Sequence, residues 1–257
     1  MQPEPKRTWN AETRAGQAAY GVADLAQTSM EPDIARPTPK AVPGVFEVAF
    51  ICTANRFRSA LAEGVCGYLI ADLPARTYSF GSLDLESAAP LEAAARVAGR
   101  LGIDLSAHRS RHLEPGALAG AGLVVGFERM HLEAAVVEGA APPDRAFLLT
   151  ELGSLLETAG AGAIVPQPSP EEMVQRLQPA RQLIGLTREF GAVPDPAGAS
   201  IATQEASAAR VAALVVAATR GIFGAAVEPR ARELELRLAK LRRGGSGRKL
   251  GLLRRRA

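Results

Sequence analysis

A cysteine and an arginine in one short polar segment are the residues with the clearest chemical potential. Cys52 and Arg58 lie six positions apart, between a mostly apolar run over 45–51 and an apolar pattern with helical spacing. In such a loop the amide N–H groups, the N-terminus of the following helix and a guanidinium can together bind a tetrahedral oxyanion. The same positive field lowers the pKa of a thiol, so Cys52 is a candidate nucleophile. A structural cysteine beside an unrelated arginine is the alternative that this spacing leaves open.

The elements that must position this loop alternate between strands and helices. Short apolar runs predict strands over 45–51, 76–80, 122–127 and 145–149. Helical spacing of apolar residues predicts helices between and after them, over 61–73, 90–101, 130–137 and 150–157. We therefore expect an α/β fold with three layers, a four-stranded parallel sheet with helices on both faces. The candidate phosphate-binding loop follows the first strand, at the carboxyl edge where open α/β sheets bind ligands.

The pattern changes after residue 158. A break rich in Gly, Ala and Pro over 159–168 precedes Ser169, which is a predicted helix N-cap with Pro170 at the first position. Glu172 completes a capping box. Pro179 is expected to kink or restart this helix. A last long helix is predicted over about 200–223, with its Ala, Val and Leu face on the sheet.

Charge is distributed unevenly along the 257 residues. The formal net charge is +3, but eleven Lys and Arg against three Glu give residues 228–257 a charge of +8, and residues 1–227 carry −5. We expect a disordered leader over 1–44, one α/β domain over 45–225 and a basic helical or disordered tail over 226–257.

The tail contains a candidate amphipathic helix over 228–243. Its apolar face would hold Leu234, Leu238 and Leu241, and Glu233 would pair with Arg237 four positions later. The glycine-rich segment 244–247 is expected to end it. The tail either contacts an anionic partner, such as nucleic acid, anionic lipid or an acidic protein, or is simply a solvated end.

Composition argues against several other classes of protein. Two cysteines cannot form a disulfide framework, and the first thirty residues lack the apolar run of a signal peptide, so a cytoplasmic location is expected. The most apolar window, 208–227, contains Arg210 and Arg220, so no membrane span is predicted. The histidines and cysteines show no metal-ligand spacing, and neither a metal nor another cofactor is expected.

The loop resembles the signature of the low-molecular-weight protein tyrosine phosphatase family, Cys-x-Gly-Asn-x-Cys-Arg-Ser-Pro followed by a helix with Ala-Glu. The matching residues are Cys52, Asn55, Arg58, Ser59, Ala62 and Glu63. The resemblance extends over roughly 45–223. It includes a turn over 79–82 similar to the family's Ser-Ala-Gly-Thr and a segment over 102–111 similar to its Gly-Ile-x-x-x-x-His-x-Ala-Arg. Residues 193–196 are similar to the family's Ile-x-Asp-Pro, and an apparent insertion over 159–189 precedes them.

This resemblance implies a two-step phosphatase that needs no metal. Cys52 would attack phosphorus, Arg58 would hold the equatorial oxygens, and Asp195 would act first as general acid and then as base. A cysteinyl-phosphate would form and then be hydrolysed, with Ser59 assisting the departure of the sulfur. The phosphate-binding positions would be Thr53, Ala54, Asn55, Arg56, Phe57 and Ser59, and the loop would be supported by Ser79 and His108 in a network with Asn55. Asparagine also suits position 55 because it tolerates the left-handed conformation of a tight loop.

Departures from the family pattern bear on the substrate. Ala54 replaces a glycine, and Phe57 replaces a second cysteine that protects the nucleophile in many members. Leu85 and Ala197 stand where phosphotyrosine-specific members have aromatic side chains, and Arg56 is a charged residue at the mouth of the loop. These differences predict a wider or more anionic substrate than a phosphotyrosine ring, or poor turnover of one.

The expected function is hydrolysis of phosphomonoesters, either on a phosphorylated protein, for example at phosphotyrosine, or on a small molecule. Arsenate reduction with a small external thiol is one alternative on this fold, and a non-catalytic module that binds an anion or a partner is another.

Cys66 is expected to be a small core residue, and His112 and His131 to be ordinary exposed side chains.

Overall fold

The computed structural model describes residues 42–85, 87–162, 164–185 and 190–253 of the chain. Most of the predicted leader, and the last four residues of the tail, lie outside these ranges. The domain boundaries proposed from the sequence stay predictions.

Four parallel strands form the sheet, in the spatial order β2-β1-β3-β4. They are β1 Phe46–Cys52, β2 Ala75–Gly81, β3 Leu123–Gly126 and β4 Ala146–Leu148. In the register, Cys52 lies opposite Gly81 and Ile51 lies opposite Gly126. The segments that follow these three strands therefore meet at one edge of the sheet, and the predicted parallel α/β sheet is confirmed.

Helices connect the strands and follow the last one. They are α1 Arg58–Ile70, α2 Glu92–Arg100, α3 Arg129–Val137, α4 Leu149–Thr158, α5 Pro170–Gly185, α6 Ile201–Phe223 and α7 Glu228–Leu253. Within the described ranges, short 3₁₀ turns lie at Pro143–Arg145 and Gly224–Val227. The predicted helices are present, with ends that differ by a few residues.

Both faces of β1 are buried, because its side chains alternate between two separate cores. Phe46, Val48 and Phe50 belong to the larger core, which includes the buried faces of α1, α4, α5 and α6. Ala49 and Ile51 belong to a smaller core with α3 and the segment 113–121. This burial explains the mostly apolar sequence of the strand. It also confirms helices on both faces of the sheet.

The insertion before the last motif supplies part of the larger core. Its helix α5 begins with the predicted capping box: Ser169 N–H donates to Glu172 Oε2 at 2.8 Å, and Glu172 N–H donates to Ser169 Oγ at 3.2 Å. Met173 and Leu177 are fully buried. The helix passes through Pro179 in one piece, so the alternative of a restart at this residue is wrong.

The tail helix α7 packs on the elements that precede it through its apolar face. Leu234 is fully buried and Leu238 is 4% exposed, on the face that the sequence predicts. The predicted ion pair forms, with Arg237 Nη2 2.5 Å from Glu233 Oε1. Arg230 Nη1 donates to the Tyr68 carbonyl on α1 at 2.8 Å. Apolar burial of this face outweighs the solvation of the basic residues beside it.

The end of α7 also differs from the expectation. The helical backbone continues to Leu253, so the predicted end at the glycine-rich segment 244–247 is wrong. Glycine lowers helix propensity by about 1 kcal/mol relative to alanine, but it does not block the hydrogen bonds of a helix that is already formed.

One helical segment in the described part of the chain, Ile201–Arg243, is long and apolar enough to span a membrane. Half of its apolar window is buried inside the domain. A core helix passes the same test of length and composition, so the segment is weak evidence for a span.

Candidate active site

The loop between β1 and α1 turns its carbonyl groups outward. Those of residues 52, 53, 55 and 56 each accept a hydrogen bond from outside the loop. In this order, the donors are Ser82 N–H at 2.9 Å, Leu83 N–H at 2.9 Å, His108 Nε2 at 2.7 Å and Leu91 N–H at 2.8 Å. Because C=O and N–H point in opposite directions in a trans peptide, the amides of residues 53, 54, 56 and 57 face the inside of the loop. Such a ring of amides is a cradle for an anion.

Asn55 shapes the loop through its backbone and its side chain. Its φ is +53°, the left-handed conformation that the sequence predicts for this position. Its Nδ2 donates to Ser59 Oγ at 2.9 Å and to Ser79 Oγ at 2.6 Å, and its Oδ1 accepts Arg111 N–H at 2.9 Å. The structure therefore brings Asn55, Ser59 and Ser79 together as the resemblance implies.

A half-buried carboxylate, Glu63 on α1, completes this network. Ser79 Oγ donates to Glu63 Oε2 at 2.5 Å, and His108 Nδ1 lies 3.6 Å from the same oxygen. Burial alone would raise the pKa of Glu63, but hydrogen bonds from His108 and Ser79 and the charge of Arg111 hold it below its ordinary value. The carboxylate therefore stays ionised and anchors the groups that support the loop.

The thiol of Cys52 lies at the end of β1, at the base of the loop. Its side chain is 2% exposed, and its Sγ lies 2.9 Å from Ser59 Oγ. The other cysteine, Cys66, is buried on α1, and burial raises the pKa of its thiol to about 12. These environments agree with a nucleophile at position 52 and an inert core residue at position 66.

Arg58, the first residue of α1, is buried beside two carboxylates. It forms ion pairs with Glu128 and with Asp195 Oδ2, the latter at 2.7 Å from Nη2. Its Nη1 also donates to the Val193 carbonyl at 3.0 Å. Burial opposes the charge of the guanidinium, but the nearby charges of Cys52, Asp195 and Glu128 outweigh it and raise the pKa of Arg58. The arginine stays cationic at any pH at which the protein is folded.

Asp195 is held in place through the backbone two residues before it. Val193 N–H donates to the carbonyl of Phe127 at 2.9 Å, which fixes this segment to the end of β3. Asp195 Oδ1 accepts the N–H of Ala197 at 2.9 Å, and its side chain is 27% exposed. The cysteine and the arginine of the loop and this aspartate, predicted from two separate motifs, are therefore brought together in one site.

Glu128 and His131, which both follow β3, complete the site. The sequence pattern predicts neither of their roles. Glu128 pairs with Arg58, and His131 is fully buried, so the expectation that His131 is an ordinary exposed side chain is wrong. Its Nε2 lies 3.1 Å from Thr53 Oγ1. The signal that could have found both is their position directly after a strand beside β1, at the carboxyl edge of the sheet.

Gly81 allows β2 to approach the loop closely. A Cβ at this position would lie 2.8 Å from the Thr53 carbonyl oxygen and 3.1 Å from Asn55 N. Glycine is therefore required here for close packing of backbone against backbone.

The side chain of Arg56 does not extend from the mouth of the loop, which corrects the expectation of a free charge there. It is 9% exposed, and its Nε donates to the Ala89 carbonyl at 2.8 Å. Leu85 and Ala197 are half-buried. Phe57, in the place of the second cysteine, is 2% exposed and packs in the larger core. Arg56 therefore does not support a preference for a more anionic substrate.

Comparisons with known proteins found one matching family and several similar solved structures. Residues 47–169 match the model of a family described as low molecular weight phosphotyrosine protein phosphatase. No curated protein matches the chain. Among solved structures, a YwlE mutant from Bacillus subtilis is 19% identical, with a TM-score of 0.49, and the match covers 68% of this chain and 96% of that one. A low molecular weight protein tyrosine phosphatase from T. tengcongensis is 23% identical, with a TM-score of 0.49, and the match covers 67% of this chain and 96% of that one. Wzb from Vibrio vulnificus, in complex with benzylphosphonate, is 17% identical, with a TM-score of 0.48 and coverage of 68% and 97%.

Proposed function

Because residues 47–169 match the model of the low molecular weight phosphotyrosine protein phosphatase family, we propose that this chain is a divergent member and that it hydrolyses phosphomonoesters through a cysteinyl-phosphate. One observation carries the proposal. The Cys52 thiol lies at the base of a loop with inward amides, and Arg58 and Asp195 meet at 2.7 Å in the same site.

In the first step the Cys52 thiolate attacks phosphorus in line. A P–S bond forms as the bond from phosphorus to the leaving oxygen breaks, and Asp195 gives its proton to that oxygen. The loop amides and the Arg58 guanidinium stabilise the negative charge on the equatorial oxygens. Because Arg58 also contacts Asp195 Oδ2, the acid and the phosphoryl ligand are positioned relative to each other.

In the second step a water molecule attacks phosphorus as the P–S bond breaks. Asp195, now ionised, accepts the proton of this water, and phosphate is released. Ser59 Oγ, 2.9 Å from Cys52 Sγ, donates a hydrogen bond to the departing thiolate. Both steps use side chains and backbone amides of the chain.

The substrate class proposed is a phosphorylated protein, with phosphotyrosine as one candidate, or a small phosphomonoester. Leu85 and Ala197 favour a substrate that does not need to be stacked between two aromatic rings. The family match does not favour arsenate reduction or a purely non-catalytic module. A cytoplasmic location and an anionic partner for the tail stay predictions.

Turnover of para-nitrophenyl phosphate tests the proposal. We expect turnover by the wild type and only background with Cys52→Ser, while Cys66→Ala, the matched control for a buried cysteine, stays active. Arg58→Ala should also lose turnover, and Asp195→Asn should lose about 10²- to 10⁴-fold. A wild type no faster than Cys52→Ser would sink the proposal. Unchanged activity of Asp195→Asn would show that another group is the acid.

A further inference from the structure

His131 is held in a single tautomer by the backbone. Its Nδ1 accepts the N–H of Glu128 at 3.1 Å and faces the N–H of Phe127 at 3.4 Å. A ring nitrogen that accepts a hydrogen bond carries no proton, so in the neutral ring the proton is on Nε2. Burial and the nearby Arg58 charge keep the ring neutral, because they lower the pKa of His131 to about 3. His131 Nε2–H therefore donates to Thr53 Oγ1, 3.1 Å away.

Besides the hydrogen bond from His131, Thr53 Oγ1 accepts one from Arg58. Arg58 Nη2 donates to it at 3.1 Å. A threonine hydroxyl has two acceptor positions and one proton. With His131 and Arg58 on the two acceptor positions, the O–H of Thr53 is left to act as a donor. The side chain is half-buried and directly follows the nucleophile in the chain.

We propose that the Thr53 hydroxyl is a catalytic residue that donates a hydrogen bond to a non-bridging oxygen of the phosphoryl group, and that His131 is its positioning residue. This inference rests on the proposed function. A neutral donor at this point adds to the charge stabilisation by Arg58 and the loop amides without adding a charge that must be desolvated. It makes the residue after the cysteine, through its side chain, part of the oxyanion site.

Thr53→Val tests the inference, because it removes the hydroxyl and keeps the shape of the side chain. We expect its kcat/KM for para-nitrophenyl phosphate to fall about ten- to a hundredfold, as for loss of a hydrogen bond to a charged group. The dissociation constant of inorganic phosphate, measured by calorimetric titration, should rise. Thr53→Ser, which keeps the hydroxyl, should restore both values to within about threefold of wild type. Thr219→Val is the matched control, since Thr219 is a buried threonine on α6.

The phosphate titration separates this inference from the proposed function, because it does not require turnover. If wild type does not turn over substrate but binds phosphate more tightly than Thr53→Val, the proposed function fails and the hydroxyl contact stands. If Thr53→Val binds phosphate as wild type does, the contact is absent and the inference is overturned. It is also overturned if Thr53→Ser loses as much kcat/KM and phosphate affinity as Thr53→Val, since the hydroxyl would then not be the group responsible.

Discussion

Asp195 Oδ2 lies 2.7 Å from Arg58 Nη2, although the two residues are 137 positions apart in the chain. The segment that carries Asp195 follows the inserted helix α5 and is fixed to the end of β3 through Val193. Glu128, at the end of β3, shares the same guanidinium. One cation thus serves two carboxylates at the site where a phosphoryl group would bind.

Glu128 competes with a bound anion for Arg58. We therefore expect Glu128→Gln to bind inorganic phosphate about two- to fivefold more tightly than wild type. This factor corresponds to the free energy of an ion pair in which one partner is partly exposed. The variant's inhibition constant for phosphate against para-nitrophenyl phosphate measures this change. Glu133→Gln, an exposed residue on helix α3 directly after Glu128, is the control and should leave the constant unchanged. Weaker phosphate binding by Glu128→Gln would contradict the competition and indicate that Glu128 mainly orients Arg58.

The close approach of β2 to the loop predicts a strong effect of a small substitution. Gly81→Ala places a Cβ 2.8 Å from the Thr53 carbonyl oxygen, so the backbone of the loop must move. We expect kcat/KM to fall by about tenfold or more, because displaced amides no longer match the oxyanion. Gly153→Ala on α4 is the control, since a Cβ there meets no atom within 4 Å. Equal activity of both variants would show that the loop tolerates the shift.

Burial of His131 predicts that acid destabilises the fold through this residue. Its pKa is lowered from the ordinary 6.5 to about 3. As the pH falls from 6.5 towards about 3, the unfolded chain gains a proton here that the folded chain does not, so the free energy of unfolding decreases. We expect the stability advantage of wild type over His131→Gln, measured by urea denaturation, to shrink between about pH 7 and about pH 4.5. Parallel pH profiles of the two proteins would refute this.

The packing of α7 predicts that the tail contributes to stability. Leu234→Ala should lower the free energy of unfolding by about 2–5 kcal/mol, because Leu234 is fully buried. Leu236→Ala, two residues later and 66% exposed, should change it by less than about 0.5 kcal/mol. Denaturant unfolding of the two variants provides the comparison. A similar, small loss in both would mean that α7 does not pack on the domain in solution.

The sequence by itself determined the order of strands and helices, the loop with Cys52 and Arg58, and the left-handed Asn55. These features are local, because they depend on hydrophobic period, on turn chemistry and on the spacing of residues within one loop. The capping box at Ser169 and the apolar face of α7 could be predicted for the same reason. Such signals do not depend on which segments become neighbours.

Only the tertiary structure decided which distant groups face one another. The register of β1, β2 and β3 brings Gly81, Glu128 and His131 to the loop, and their own sequence windows do not specify which atoms they contact there. The direction of the Arg56 side chain and the docking of α7 also depend on tertiary contacts. Arg56 points to the Ala89 carbonyl, and the apolar face of α7 packs in the larger core. Contacts between residues far apart in the chain depend on the whole fold, so the residues that orient Arg58 and Thr53 become visible only in three dimensions.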